Sequence, residues 1–215
     1  MNTVLVIGGS SGIGKAICHR LKDEYQVINM SRRKNEEVDN IYCDTTDYMC
    51  VKSAFIELND KYDVPYGIIY CSGIVEVQSI YELTENALVD TFQTNILGCF
   101  RVVHEYLKIN KSEGKIILIG STSGSRASPS WDVYSSTKAA VINFGLTLGE
   151  ELKTENKKVY IISPGRTASE LRSKLCPNED PSTIMQPITV ANFIYKLIHD
   201  DDGYLSNQNI IIKRQ

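Results

Sequence analysis

The stretch VLVIGGSSGIGKAI, Val4 to Ile17, passes from four apolar residues through a loop with four glycines and two serines into the start of a helical pattern. Glycine costs backbone entropy wherever it stands, so this density within one turn marks a place where something comes close to the main chain. Gly8, Gly12 and Gly14 are spaced G-x-x-x-G-x-G after a strand. Amides at a helix amino terminus, bare of Cβ atoms and helped by the helix dipole, hold a phosphate group. A dinucleotide diphosphate seated on Gly8, Ser10, Ser11, Gly12, Ile13 and Gly14 is the reading that follows.

Further along, apolar runs stand at Thr3–Ile7, Gln26–Met30, Asn40–Cys43, Tyr66–Cys71, Lys115–Gly120, Lys158–Ser163 and Asn209–Lys213. Most are continuous rather than alternating, as strands covered on both faces require. Helical spacing fills the gaps at Lys15–Glu24, Tyr48–Leu58, Tyr81–Ile109, Val133–Leu152 and Val190–His199. Strand then helix, repeated, gives parallel strands joined by right-handed crossovers. The expectation is a single α/β domain over residues 1–215, with a doubly wound seven-stranded parallel sheet between two helical layers. The irregular, proline-bearing segment at about 166–187 is expected to form a short lid over the carboxyl ends of the strands, where such sheets bind ligands.

Composition narrows the possible partners. The 215 residues carry a net charge of −3 without a long basic run, which argues against nucleic acid as the main partner. Six cysteines without a CxxC pair and only three histidines suggest neither a zinc site nor a disulfide framework, so no metal is expected. No apolar run approaches the roughly eighteen residues of a membrane span, and no leader pattern is evident; a cytoplasmic protein with no membrane partner is expected.

A NAD site would carry an acid at the end of the second strand to hold the ribose 2′-hydroxyl. Here the strand ends INMSRR, so Ser31 stands in the acid's place, followed by Arg32 and Arg33. A small hydroxyl and guanidinium groups suit a 2′-phosphate, which points to NADP(H). Further on, Tyr134 and Lys138 lie four apart on a helical pattern and share a face. A phenol's ordinary pKa near 10 makes it a poor proton exchanger at neutral pH, and an adjacent ammonium is expected to lower it. Tyr48 and Lys52 repeat the spacing, but only Tyr134 is preceded by a serine, Ser121, at a strand end where a substrate oxygen could be held.

Gly8, Gly12 and Gly14, Asp44, Asn95, Ser121, Tyr134 with Lys138, and Pro164-Gly165 together resemble the short-chain dehydrogenase/reductase family, in its usual order and over nearly the whole chain. The resemblance implies a Rossmann-fold enzyme in which Tyr134 exchanges a proton and Lys138 holds the nicotinamide ribose and lowers the tyrosine pKa. Ser121 would orient the substrate oxygen, and Asn95 would hold a water in a proton relay. Asp44 and Thr45 would meet the adenine end of the coenzyme, with Gly73, Pro164, Gly165 and either Thr167 or Ser169 elsewhere along it. Assembly into homodimers or homotetramers through the fourth and fifth helices is also implied. The chain departs from the pattern at Ile7 and at Tyr70–Gly73, where YCSG stands for the usual Asn-Asn-Ala-Gly and only Gly73 matches.

Arg126, after the fifth strand, and Arg166 and Arg172, after the sixth, suggest an anionic or polyhydroxylated substrate; Arg126 and Arg172 are the candidates to touch it. Ordinary surface arginines, or Arg166 on a coenzyme phosphate, are the alternative. PGRTASELR resembles the corresponding stretch of polyol-phosphate reductases. The expected activity is NADP(H)-dependent interconversion of a ketone or aldehyde and an alcohol. A non-catalytic NADP(H)-binding sensor or scaffold is the rival, against which stands the presence of serine, tyrosine and lysine together.

Overall fold

The computed structural model describes residues 1–214. The apolar runs form strands β1 (Thr3–Ile7), β2 (Gln26–Ser31), β3 (Asp39–Tyr42), β4 (Gly67–Tyr70), β5 (Gly114–Ile119), β6 (Lys157–Pro164) and β7 (Asn209–Ile212). They pair, all parallel, in the order β3-β2-β1-β4-β5-β6-β7. Between them lie helices α1 (Gly12–Leu21), α2 (Tyr48–Lys61), α3 (Glu85–Phe92), α4 (Gly98–Ile109), α5 (Asp132–Glu151), α6 (Glu170–Leu175) and α7 (Pro187–Ile198). This is the expected Rossmann architecture.

Successive side chains of a strand point to opposite faces, and both faces here are covered. Leu5, Ile7, Ile68, Ile116 and Leu118 pack with residues of α2, α4 and α5. Val4, Val6, Ile69, Ile117 and Ile119 pack with residues of α1 and α7. Each fully buried Ile or Leu contributes roughly 1.5–3 kcal/mol. Strand order reverses between β1 and β4, so their carboxyl ends open a crevice at that switch point.

Two segments differ from the sequence expectation. The single helix read over Tyr81–Ile109 starts only at Glu85, because Thr84 Oγ1 accepts from the Ala87 amide and caps it. It also contains a π turn, Gln93–Leu97, in which the Gly98 amide reaches back to the Gln93 carbonyl. Tyr70, standing where the resemblance places asparagine, fills the space beside Gly98 and donates its hydroxyl to the Thr94 carbonyl at 2.6 Å. The proline-bearing segment, read as an irregular lid, contains α6 and a short 3-10 turn, Pro181–Thr183. It is tied back by a parallel bridge between Thr167 and Met185. From Ala168 to Thr183 it buries no residue in the core.

Candidate active site

The glycine turn meets the demand its sequence implies. Gly8 takes a φ of +83°, and a Cβ at Gly14 would overlap the Gly8 carbonyl oxygen, so β1 and α1 can approach this closely only without side chains. Ser11, the N-cap residue of α1, makes no side-chain cap bond, and its neighbours Ser10, Gly12 and Ile13 border a cavity of about 730 Å³. Every residue assigned from sequence to coenzyme or substrate lines this cavity, as do Cys71, Ser72, Trp131, Leu171 and Leu175. A cradle that any Cβ would fill, at a helix amino terminus beside the sheet's switch point, fits a dinucleotide diphosphate.

At the end of β2 the Ser31 hydroxyl donates to the Arg33 carbonyl at 2.5 Å. Arg32 stands 3.9 Å from Asp44, and Arg33 stands 3.4 Å from Glu170 of α6. Three asparagines that sequence reasoning passed over hold this turn. Asn29 donates to Asn40 and to the Arg33 carbonyl, Asn40 accepts from the Asn35 amide, and the buried Asn35 side chain donates to the Gly9 carbonyl at 2.9 Å. The glycine turn and the arginine turn are thereby fixed to each other. Asparagines near loops read in sequence as turn formers, so nothing singled these out. Asp44 uses one carboxylate oxygen on the amide and hydroxyl of Thr46, and the other faces Arg32.

Ser121 follows β5 and its hydroxyl accepts from the Ser123 amide at 3.1 Å, which leaves its own proton for an oxygen in the cavity. Tyr134 sits one turn into α5, its ring edge-on to Trp131 at 5.7 Å. One turn on, Lys138 is buried and donates to the Ile119 carbonyl at 2.8 Å. The amine lies 5.8 Å from the centre of the tyrosine ring.

The expected lowering of the tyrosine pKa is not what this arrangement produces. Burial pushes the Tyr134 phenol up, and the neighbouring Ser121 hydroxyl opposes that only in part. The amine is committed to a backbone carbonyl rather than to the phenol. Burial also brings Lys138 down from 10.5 to about 8.

Asn95, expected to hold a water in a proton relay, does not line the cavity. It is fully buried behind the cavity wall, because the π turn directs it inward. Its oxygen accepts from the Ile74 amide, and its nitrogen donates to the Ile74 carbonyl and the Thr137 hydroxyl, so its side chain is engaged within the protein.

Of the two arginines assigned to substrate, Arg126 is exposed at the rim. Arg172 is already paired: its fork meets both oxygens of Glu179 at 2.6 and 2.8 Å, and Arg166 meets the same carboxylate at 3.1 Å. Thr167 donates to the Gly165 carbonyl, and Ser169 caps α6 by accepting from the Arg172 amide; both hydroxyls border the cavity.

Among the described residues no group of three His, Cys, Asp or Glu side chains could hold a metal ion, and no helix is long and apolar enough to cross a membrane. All six cysteines are free thiols, and burial raises Cys18, Cys43 and Cys99 to about 12.

Residues 2–180 match the family model described as short chain dehydrogenase. The chain is 29% identical over 178 residues to the 3-oxoacyl-[acyl-carrier-protein] reductase MabA of Mycobacterium avium, covering 80% of this chain and 70% of that protein. It is 26% identical over 189 residues to the bifunctional ribulose 5-phosphate reductase/CDP-ribitol pyrophosphorylase Bcs1 of Haemophilus influenzae, covering 87% of this chain but 39% of that longer protein. A solved structure described as ElxO with NADP bound superimposes with a TM-score of 0.89 at 25% identity, covering 98% of this chain and 96% of that one.

Proposed function

Since the chain belongs to the short chain dehydrogenase family, we propose that it is an NADP(H)-dependent reductase that interconverts a small ketone or aldehyde with its alcohol, the pair being a sugar phosphate and its polyol phosphate. One observation carries the reading: Ser121, Tyr134 and Lys138 converge on the cavity that the glycine turn opens. The phosphate-bearing substrate class draws support from the arginines around that cavity and from the similarity to Bcs1.

When bound, the coenzyme supplies the hydride. The chain's own residues do the rest. Ser121, its acceptor side occupied by the Ser123 amide, donates a hydrogen bond to the substrate oxygen. Tyr134 gives that oxygen a proton; burial keeps its phenol protonated at neutral pH, which suits the reductive direction. Lys138 supplies positive charge beneath the tyrosine and a donor for a ribose hydroxyl. Trp131, Leu171 and Leu175 give the cavity its apolar lining beside these groups. Leu97 and Phe100, exposed beside Phe144, form the face through which we place assembly into a homodimer or homotetramer; the protein acts in the cytoplasm.

Oxidation of NADPH with a panel of ketones, aldehydes and ketose phosphates tests the reading. Tight NADPH binding with no oxidation by any of them would favour a sensor instead. Coenzyme choice has its own test. Replacing Arg32 and Arg33 together by alanine should raise the KM for NADPH about 10–100-fold, the worth of one or two charge-assisted hydrogen bonds, and leave that for NADH within about threefold. Equal losses for both coenzymes would remove these arginines from 2′-phosphate recognition.

A further inference from the structure

Two of the arginines that border the cavity, Arg166 and Arg172, share a carboxylate of the lid. Glu179 lies in the turn after α6, and both of its oxygens are taken by the Arg172 fork, with Arg166 on one of them. Arg172 and Glu179 are largely shielded, with side-chain exposures of 18% and 14%. The Arg172 guanidinium lies 6.0 Å over the Trp131 ring, and that ring stands edge-on to Tyr134. One aromatic ring therefore separates this ion pair from the group that handles the proton.

Charge and packing both bear on what this pair is for. Arg126, Arg166 and Arg172 line one cavity, and Glu179 is the only carboxylate ion-paired with any of them among the described residues. Arg32, Arg33 and Lys138 line it too, against Asp44 and Glu170, so the cavity stays net positive with Glu179 counted in. A guanidinium fork that matches two carboxylate oxygens matches two phosphate oxygens equally well. The lid offers little resistance to rearrangement, since Ala168–Thr183 buries nothing in the core. The Cys176–Asp180 turn is held by Glu179 itself and by short backbone bonds such as Glu179 to Cys176.

We propose that Arg166 and Arg172 form a subsite for the phosphate of a phosphomonoester substrate, and that Glu179 occupies it as an internal counter-anion until the substrate displaces it. This rests on the reductase reading for the identity of the site, and deepens it by assigning the phosphate end of the substrate and the group that competes with it. Displacement exchanges one carboxylate for a dianion and leaves Glu179 free in solvent. Bound phosphate then holds α6 through the same guanidinium groups.

Calorimetry on the NADP⁺-loaded protein tests the exchange without requiring turnover, so a failed reductase assay and a failed exchange remain distinct. The probes are inorganic phosphate, dihydroxyacetone phosphate and dihydroxyacetone. Glu179→Gln should bind both phosphates about 5–10-fold more tightly than the unmodified chain and leave dihydroxyacetone unchanged; adding Arg172→Gln should remove the gain. Phosphate binding that is no tighter in Glu179→Gln, or an equal gain for dihydroxyacetone, would overturn the proposal. Should that variant fail to fold, a glutamate-specific protease on the unmodified NADP⁺-loaded chain reads the same event. Inorganic phosphate should speed cleavage after Glu179 at least threefold; an unchanged or slower cut would show that the carboxylate stays in place.

Discussion

Tyr134→Phe is expected to lower kcat for carbonyl reduction by about three orders of magnitude while NADPH affinity changes by less than about twofold. A positioned general acid contributes typically 10²–10⁴-fold, and three orders of magnitude is the middle of that range. Phenylalanine keeps the ring and its edge-on packing against Trp131, so the loss isolates the hydroxyl. Stopped-flow rates and fluorescence titration with NADPH measure the two quantities separately. The raised phenol pKa adds a direction. A group that holds its proton through neutral pH gives a reductive rate that is flat there, whereas alcohol oxidation, which needs the phenolate, should fall as pH drops. Retained turnover in the phenylalanine variant would remove Tyr134 from proton transfer.

Lys138→Met should do two opposite things: lower kcat by about 100-fold or more, and raise thermal stability. Burial brings the amine from 10.5 to about 8, which corresponds to about 3 kcal/mol against the charged form, set against about 1 kcal/mol for its bond to the Ile119 carbonyl. A net gain of about 1–2 kcal/mol in the variant at pH 7 corresponds to a Tm increase of about 2–8 °C at this chain length.

The sign of the pH effect follows from linkage. Between about 8 and 10.5 the unfolded chain binds more protons at this site than the folded one, so the unmodified protein gains stability as pH rises through that window. The advantage of the methionine variant should therefore shrink between pH 8 and 10.5. Differential scanning calorimetry at pH 7 and pH 10 checks it; a lower Tm for the variant at pH 7 would show that the lysine's hydrogen bond outweighs its desolvation.

Much of this was legible in the chain because the signals were redundant. The glycine turn, the continuous strand runs and the Ser121, Tyr134 and Lys138 spacing each point to the same architecture, and every assigned coenzyme residue borders one cavity. What escaped has physical reasons. Helix α6 spans only six residues, too few for a period to show. Glu179 is an ordinary loop acid until the fold brings Arg172 onto it. The pKa directions depend on burial, which residue spacing does not carry: a lysine one helical turn from a tyrosine was expected to act on the phenol and instead serves a strand carbonyl.

The π turn was hidden for a related reason. Ala87, Thr91, Asn95, Cys99 and Val103 are all buried at steps of four, which in sequence passes for a helical stripe although an α-helix turns every 3.6 residues. Those steps stay aligned only because the turn over Gln93–Leu97 accommodates one surplus residue. Excising one would let the ladder close as plain α-helix with Cys99 and Val103 still facing the core, whereas closing it at full length would turn the whole of α4 by about 100° and carry both toward water. A chain shortened by one residue should therefore be absorbed at this place, with α4 keeping its packing.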